Sequence, residues 1–172
     1  MGVDRGAAGA DRGAMGIVRP HLWFAHGAEQ AAEFYASVIP NSRVTDVVRA
    51  PAGVPDVVEG EPFIVRLDLD GLPIEMINAG PAFTLDEAFS LIVECDDQAQ
   101  VDHYWEVLTS DGGRPGQCGW LTDRFGVSWQ VVPRQLDQIF GDYSTDGSKK
   151  ALAAMFTMTK LDVAALEAAA RS

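Results

Sequence analysis

The order strand, helix, strand, strand, strand is written twice along this chain, and that repetition limits the folds open to it. In the first copy Arg19–Ala25 reads as an aromatic, apolar strand and His26-Gly27 as a turn. Ala28–Ile39 reads as a helix, with Ala28, Ala31, Phe34, Tyr35 and Val38 at helical spacing. Pro40-Asn41 stops that helix, and Arg43–Arg49 reads as the next strand. Residues 50–61 hold two prolines, two glycines and three acidic residues, the composition of a surface loop or lid. Phe63–Asp70 then alternates, with Phe63, Val65, Leu67 and Leu69 on one face, and a turn at Asp70-Gly71 joins it to Leu72–Asn78 as a hairpin.

The second copy opens with a strand over Ala88–Cys95. Asp96 or Asp97 caps a helix that runs to Leu108 and turns Val101, Tyr104, Trp105 and Leu108 inward. Asp111-Gly112-Gly113 ends it, and short strands near Gln117–Thr122 and Val127–Val132 flank a turn at Asp123–Gly126, the second strand of this copy being the one that the pattern marks least. Phe34-Tyr35 and Tyr104-Trp105 occupy equivalent places in the two helices, as in a duplicated module that buries its apolar face against its copy. The expected organisation is a disordered leader over residues 1–16, two modules over 17–81 and 82–133, and an alanine-rich helical tail over 134–172. In the tail, Leu136, Ile139 and Phe140 predict a short helix. Lys149–Thr159 is expected to bury Leu152, Met155 and Phe156, and Val163–Ala170 reads as a last helix capped by Asp162. The tail is expected to pack on the domain or on a partner subunit.

Charge and composition exclude several functions. Thirteen Lys and Arg against 25 Asp and Glu give a formal charge of -12, and the basic residues are scattered, so no phosphate-binding stripe exists. The two cysteines, Cys95 and Cys118, belong to no CxxC or Cys/His cluster. No apolar run approaches the ~20 residues that span a bilayer. With no secretory pattern at the N-terminus, the expected location is cytoplasmic, and neither nucleic acid nor membrane is an expected partner. No GxGxG loop follows a strand, so no nucleotide cofactor is expected.

Pro20-His21-Leu22-Trp23-Phe24 followed by Ala31–Tyr35, the run Asn78-Ala79-Gly80-Pro81, and above all the stretch Gln117–Pro133 (QCGWLTDRFGVSWQVVP) carry a resemblance. Together they closely resemble the PhnB-like branch of the vicinal oxygen chelate superfamily, which includes glyoxalases, extradiol dioxygenases and bleomycin and fosfomycin resistance proteins. Members of this branch are often labelled 3-demethylubiquinone-9 3-methyltransferase. The resemblance takes in about residues 17–170. It implies an α+β fold in which paired βαβββ modules form an open, cup-shaped mixed sheet around a cavity. It also implies a homodimer, because such cavities are often completed across an interface.

The superfamily's metal-ligand places fall here on His21, Ser90 and Gln130, with Glu75 near a fourth. Serine and a neutral amide are poor ligands for a divalent cation, so no metal is expected. His21 and Trp23 share a strand face, where His21 could shuttle a proton or simply line the wall. Glu75 sits in an apolar strand between Ile74 and Met76. It must face the cavity, lie on a wet face, or pair with an arginine. Asn78 falls on the opposite face from Glu75. His21 and Glu75 are the catalytic candidates, and Trp23, Ser90, Trp120, Ser128 and Gln130 are the ligand-binding candidates. Trp129 is assigned to the core. His26 and His103 read as solvated.

Three functions stay open at this point. One is a protein that binds or sequesters a small organic molecule. The others are a metal-independent enzyme acting on a small, largely apolar metabolite and a structural or interaction protein with a vestigial cavity.

Overall fold

The computed structural model describes residues 18–172, so the expected leader lies outside the described residues. In the first module, strand β1 (His21–Phe24) leads into helix α1 (Ala28–Val38), followed by β2 (Arg43–Arg49), β3 (Pro62–Leu69) and β4 (Leu72–Asn78). The strands lie in the order β1-β4-β3-β2, with β1 parallel to β4 and the other pairs antiparallel. Leu69 pairs with Leu72 across a two-residue turn in which Asp70 (φ 48°) and Gly71 (φ 86°) are both left-handed. That geometry matches the twist of the flanking strands and favours Asp-Gly.

The second module repeats the plan: β5 (Leu91–Cys95), α2 (Gln98–Thr109), β6 (Arg114–Pro115), β7 (Trp120–Thr122) and β8 (Ser128–Pro133), in the order β5-β8-β7-β6. Its middle strands are shorter than the sequence predicts. The expected Gln117–Thr122 strand begins only at Trp120, because Cys118 and Gly119 adopt φ of 56° and 83° and fold the chain into a tight turn. The strand expected from Ala88 begins at Leu91. The tail forms α3 (Leu136–Phe140), α4 (Asp146–Met155) and α5 (Val163–Arg171). Helix α4 ends four residues before the predicted Thr159. The carbonyls of Met158 and Thr159 instead accept hydrogen bonds from the Cys118 and Gly119 amides at 2.8 and 2.7 Å. Gly119 is required there. A Cβ on it would lie 2.9 Å from the Val131 carbonyl and 3.1 Å from Leu161. Of the three tail residues expected to be buried, Leu152 and Met155 are half-buried and Phe156, at the end of α4, is 64% exposed; the tail buries Phe140, Ser148, Ala151, Leu161 and Leu166 instead.

Alternation decides which face of each sheet is buried. Leu22, Phe24, Val65, Leu67, Leu69, Ile74 and Met76 face α1, and Leu91, Cys95, Leu121, Trp129 and Val131 lie on the corresponding face of the second sheet. All of them, with Ala28, Ala31, Ala32 and Tyr35 of α1, join a single hydrophobic cluster. The modules therefore meet through their helix-bearing faces, and the opposite, open face of each sheet is turned away from the shared core. Within one chain the two four-stranded sheets do not pair with each other.

Asn78 also faces the helix. Helix α1 begins at Gly27, which has no side chain to cap it, and Asn78 fills that role from β4: its Oδ1 accepts from the Ala28 amide at 2.9 Å while its Nδ2 donates to the Pro62 carbonyl at 2.9 Å. Glu75 is left on the open face, as the alternation requires.

One polar group lies at the join of the modules. Asp123, 3% exposed, accepts from Tyr35 Oη at 2.6 Å and Trp129 Nε1 at 2.8 Å, and from the amides of Phe125 and Val127 at 2.8 and 3.0 Å. Asp123→Ala leaves these donors without an acceptor and is expected to cost about 3–5 kcal/mol in urea unfolding; Tyr35→Phe removes one charge-assisted bond and is expected to cost about 1.5–3 kcal/mol. Burial first, and then the Asp123 carboxylate, raise the Tyr35 phenol well above its ordinary 10.0. In the window above that value the folded state holds more protons than the unfolded state. The stability from Tyr35 is thus complete below pH 10.0 and lost as pH rises through the higher folded value. The stability gap between wild type and Tyr35→Phe should narrow above that pH, and a constant gap would contradict this account.

Candidate functional site

The predicted site residues fall into two groups, one on each open face. On the first sheet, parallel register sets His21 beside Glu75, and antiparallel register sets Arg66 across from Glu75 and beside Asp46. Arg66 Nε donates to Glu75 Oε2 at 2.9 Å and its Nη1 bonds Asp46. Arg19 and His21 stand 3.8 and 3.7 Å from the Glu75 carboxylate. Of the three situations open to Glu75, the structure shows the arginine pair. The hydrogen bond it donates to Glu75, outweighing partial burial, holds the Arg66 guanidinium more firmly protonated than usual. Trp23 shares the face with His21, but its Nε1 donates to the Gly80 carbonyl at 2.9 Å and its ring meets Phe83 edge-on at 5.0 Å.

On the second sheet, Gln130 of β8 lies between Ile92 of β5 and Trp120 of β7. Its Nε2 donates to Ser90 Oγ at 2.9 Å, so the strand-edge serine fixes the amide. Ser128 shares this strand face but is 2% exposed, donating to the Asp86 carbonyl at 3.4 Å; the loop before β5 seals it from the open surface. Over this face the tail builds a groove of about 980 Å³. Trp120, Gln130 and Val132 form its floor, and Leu136, Phe140, Met155, Phe156 and Leu161 form its far wall. Cys118 lines it too, with Sγ 3.5 Å from the Met155 carbonyl. Cys95 lies in the core, where burial and then Asp96 and Asp97 push its thiol up to about 11.

The superfamily's metal does not fit this arrangement. His21 and Glu75 lie on one sheet, Ser90 and Gln130 on the other. The Gln130 amide nitrogen points at Ser90, and Glu75 is already engaged by a guanidinium. Among the described residues no three His, Cys, Asp or Glu side chains gather as a ligand set. No helix among them is long and apolar enough to cross a membrane.

Three features escaped the sequence reading. The groove wall comes from tail residues whose pattern announced only packing. Asp123 looked like an ordinary turn residue, and its Tyr35 partner is 88 positions away. Arg66 is a lone arginine in an alternating strand, legible as a partner for Glu75 only once the hairpin register is counted across Asp70-Gly71.

Two modules of β-α-β-β-β, packed as a pair with a parallel first-to-last strand contact in each, define the class: a vicinal oxygen chelate protein. The chain belongs to the 3-demethylubiquinone-9 3-methyltransferase family, whose profile matches residues 17–132, and thus to the PhnB-like branch. The match stops short of the tail, which the resemblance was expected to include. A PhnB protein from Bacillus cereus is similar at 28% identity and a TM-score of 0.62, over 69% of this chain and 99% of its own. A Pseudomonas aeruginosa protein shares the fold at 19% identity and a TM-score of 0.56, over 67% of this chain and 96% of its own. No curated protein matches significantly.

Elemental analysis of the purified protein is expected to find no stoichiometric divalent metal. One zinc, iron, nickel or manganese per chain would contradict the assignment of Ser90 and Gln130 as non-ligands.

Proposed function

We propose that this protein binds and sequesters a small, largely apolar organic molecule in the groove between the second sheet and the helical tail. The observation that carries this reading is the chemistry of the groove floor. Trp120 and Val132 offer apolar surface, and Gln130 offers an amide held in place by Ser90. A mostly apolar cleft with a few fixed polar groups is what recognition of a small molecule needs. A neutral amide can orient a guest, but it is no acid or base near neutral pH. The vestigial reading needs a filled cavity, and the groove is open. For methyl transfer, the activity in the family's description, a nucleotide donor would want a Gly-rich loop after a parallel strand, and the sequence has none.

A second reading rests on His21 and Glu75, 3.7 Å apart on the first sheet. There they would act as acid and base on a substrate reaching both sheets. Because the open faces of one chain point away from each other, that reading calls on a second copy to close a cup, as does the homodimer. Light scattering is expected to give twice the chain mass at micromolar concentration. A monomer would remove both the dimer and the two-faced site.

Thermal-shift screening against aromatic and lipophilic molecules is expected to give stabilising hits that Trp120→Ala weakens at least tenfold in Kd and that are not turned over. His21→Ala and Glu75→Gln should leave that binding within about twofold. Turnover lost in those two variants would instead establish the enzymatic reading. Hits indifferent to Trp120→Ala would place the guest elsewhere.

A further inference from the structure

The charge around the groove is one-sided. Two carboxylates line it, Glu87 from the loop before β5 and Asp137 from α3, and neither is in an ion pair among the described residues. Among the described residues no lysine, arginine or histidine lines it. Of the basic residues within two positions of groove residues in sequence, Arg134 is turned to Glu94 and Asp96 at 3.1 Å each and Lys160 to Asp102, while Arg114, two residues before Gly116, is exposed and does not line the groove. Beside Asp137, Phe140 and Tyr143 stack with ring centroids 5.4 Å apart and planes 16° apart, and Trp120 and Phe156 add two more aromatic surfaces.

Carboxylates and aromatic faces attract the same kind of group. A cation gains from the charge of the first and from the ring quadrupole of the second, whereas an anion meets only repulsion and an overall charge of -12. We infer that the groove selects amphiphilic cations, molecules with an apolar, ring-sized body and an amine that is protonated at neutral pH. The body would lie on Trp120 and Val132, and the ammonium would sit toward Glu87 or the Asp137–Phe140–Tyr143 rim. This deepens the proposed function and rests on its placement of the guest. Both carboxylates are solvent-exposed, so the preference is moderate and sensitive to salt.

Three naphthalenes that share a ring and differ in charge test it on the full chain: 1-naphthylmethylamine (cation), 1-naphthylmethanol (neutral) and 1-naphthoate (anion). Calorimetry at low ionic strength is expected to rank them in that order, the amine binding roughly three- to tenfold tighter than the alcohol. Half-molar salt should shrink the amine's lead. Glu87→Gln combined with Asp137→Asn, both surface substitutions, should abolish the lead. An alcohol or carboxylate that binds as tightly as the amine would overturn the inference, as would a lead that survives the double substitution. If the alcohol binds in a Trp120-dependent manner without any lead for the amine, charge selection fails while the groove stands. If none of the three binds at millimolar concentration, both fall.

Discussion

The Asp123 carboxylate holds the two halves of this molecule in their arrangement. A buried ionised group is tolerated only when hydrogen bonds replace its hydration, and this one has four donors, none of them charged. Two come from its own turn and tie the β7–β8 connection. The third is Trp129, the largest fully buried side chain of the second sheet. The fourth is Tyr35, which reaches over from the helix of the other module. The next two residues reinforce the same contact. The Arg124 guanidinium lies 4.3 Å from the Phe34 ring centroid while bonding Asp111, and Phe125 packs on both Phe34 and Tyr35. Three consecutive residues of one tight turn thus grip one helix, joining electrostatic, cation–π and aromatic contacts at a single place.

That grip has a topological consequence. Because it uses the helix-bearing face of each sheet, it commits both open faces to the outside, and the two faces then acquire different chemistry. The first carries a lattice of ion pairs around Arg66, half in solvent, which contributes little to stability but keeps the face polar. The second carries Trp120, Gln130 and Val132 and is roofed by the tail. The roof is pinned by backbone hydrogen bonds at Cys118 and Gly119 and by Gln98, whose side chain donates to the Leu161 carbonyl and accepts from the Val163 amide. The fixed strip from Met158 to Val163 contributes Leu161 to the groove wall, and the α3–α4 side supplies the rest of it.

Much of this was legible in the sequence because it depends on local periodicity. The duplicated module, the Asp70-Gly71 hairpin, the opposite facing of Glu75 and Asn78, and the core place of Trp129 beside an open-facing Gln130 all follow from counting residues along strands. The relation between the modules was not legible. Alternation says that a sheet has two faces but not which face meets the other module, and here an aspartate in a turn settles it through a partner 88 residues away. In the tail, helical spacing predicts burial of Leu152, Met155 and Phe156 against the domain or a partner subunit, but spacing alone does not set the register. Its register is in fact set where Gly119 accepts the close approach of Leu161, and that leaves Phe156 outward. Ser128 has the right strand face for the groove, yet the loop carrying Asp86 covers it, and no periodic pattern encodes where a loop lies.

The proposed guest lies on the open face of the second sheet and not on the first. The four tryptophans report on it directly, since their indole N–H groups sit in four different settings. Trp120 is on the groove floor, Trp23 on the opposite open face bonded to Gly80, Trp129 in the core bonded to Asp123, and Trp105 on α2. Titrating 1-naphthylmethanol into the nitrogen-15-labelled protein and following the four indole resonances is the most direct measurement. A saturable shift of Trp120 is expected, with Trp23 and Trp129 unmoved. A shift confined to Trp23, with Trp120 still, would contradict that placement.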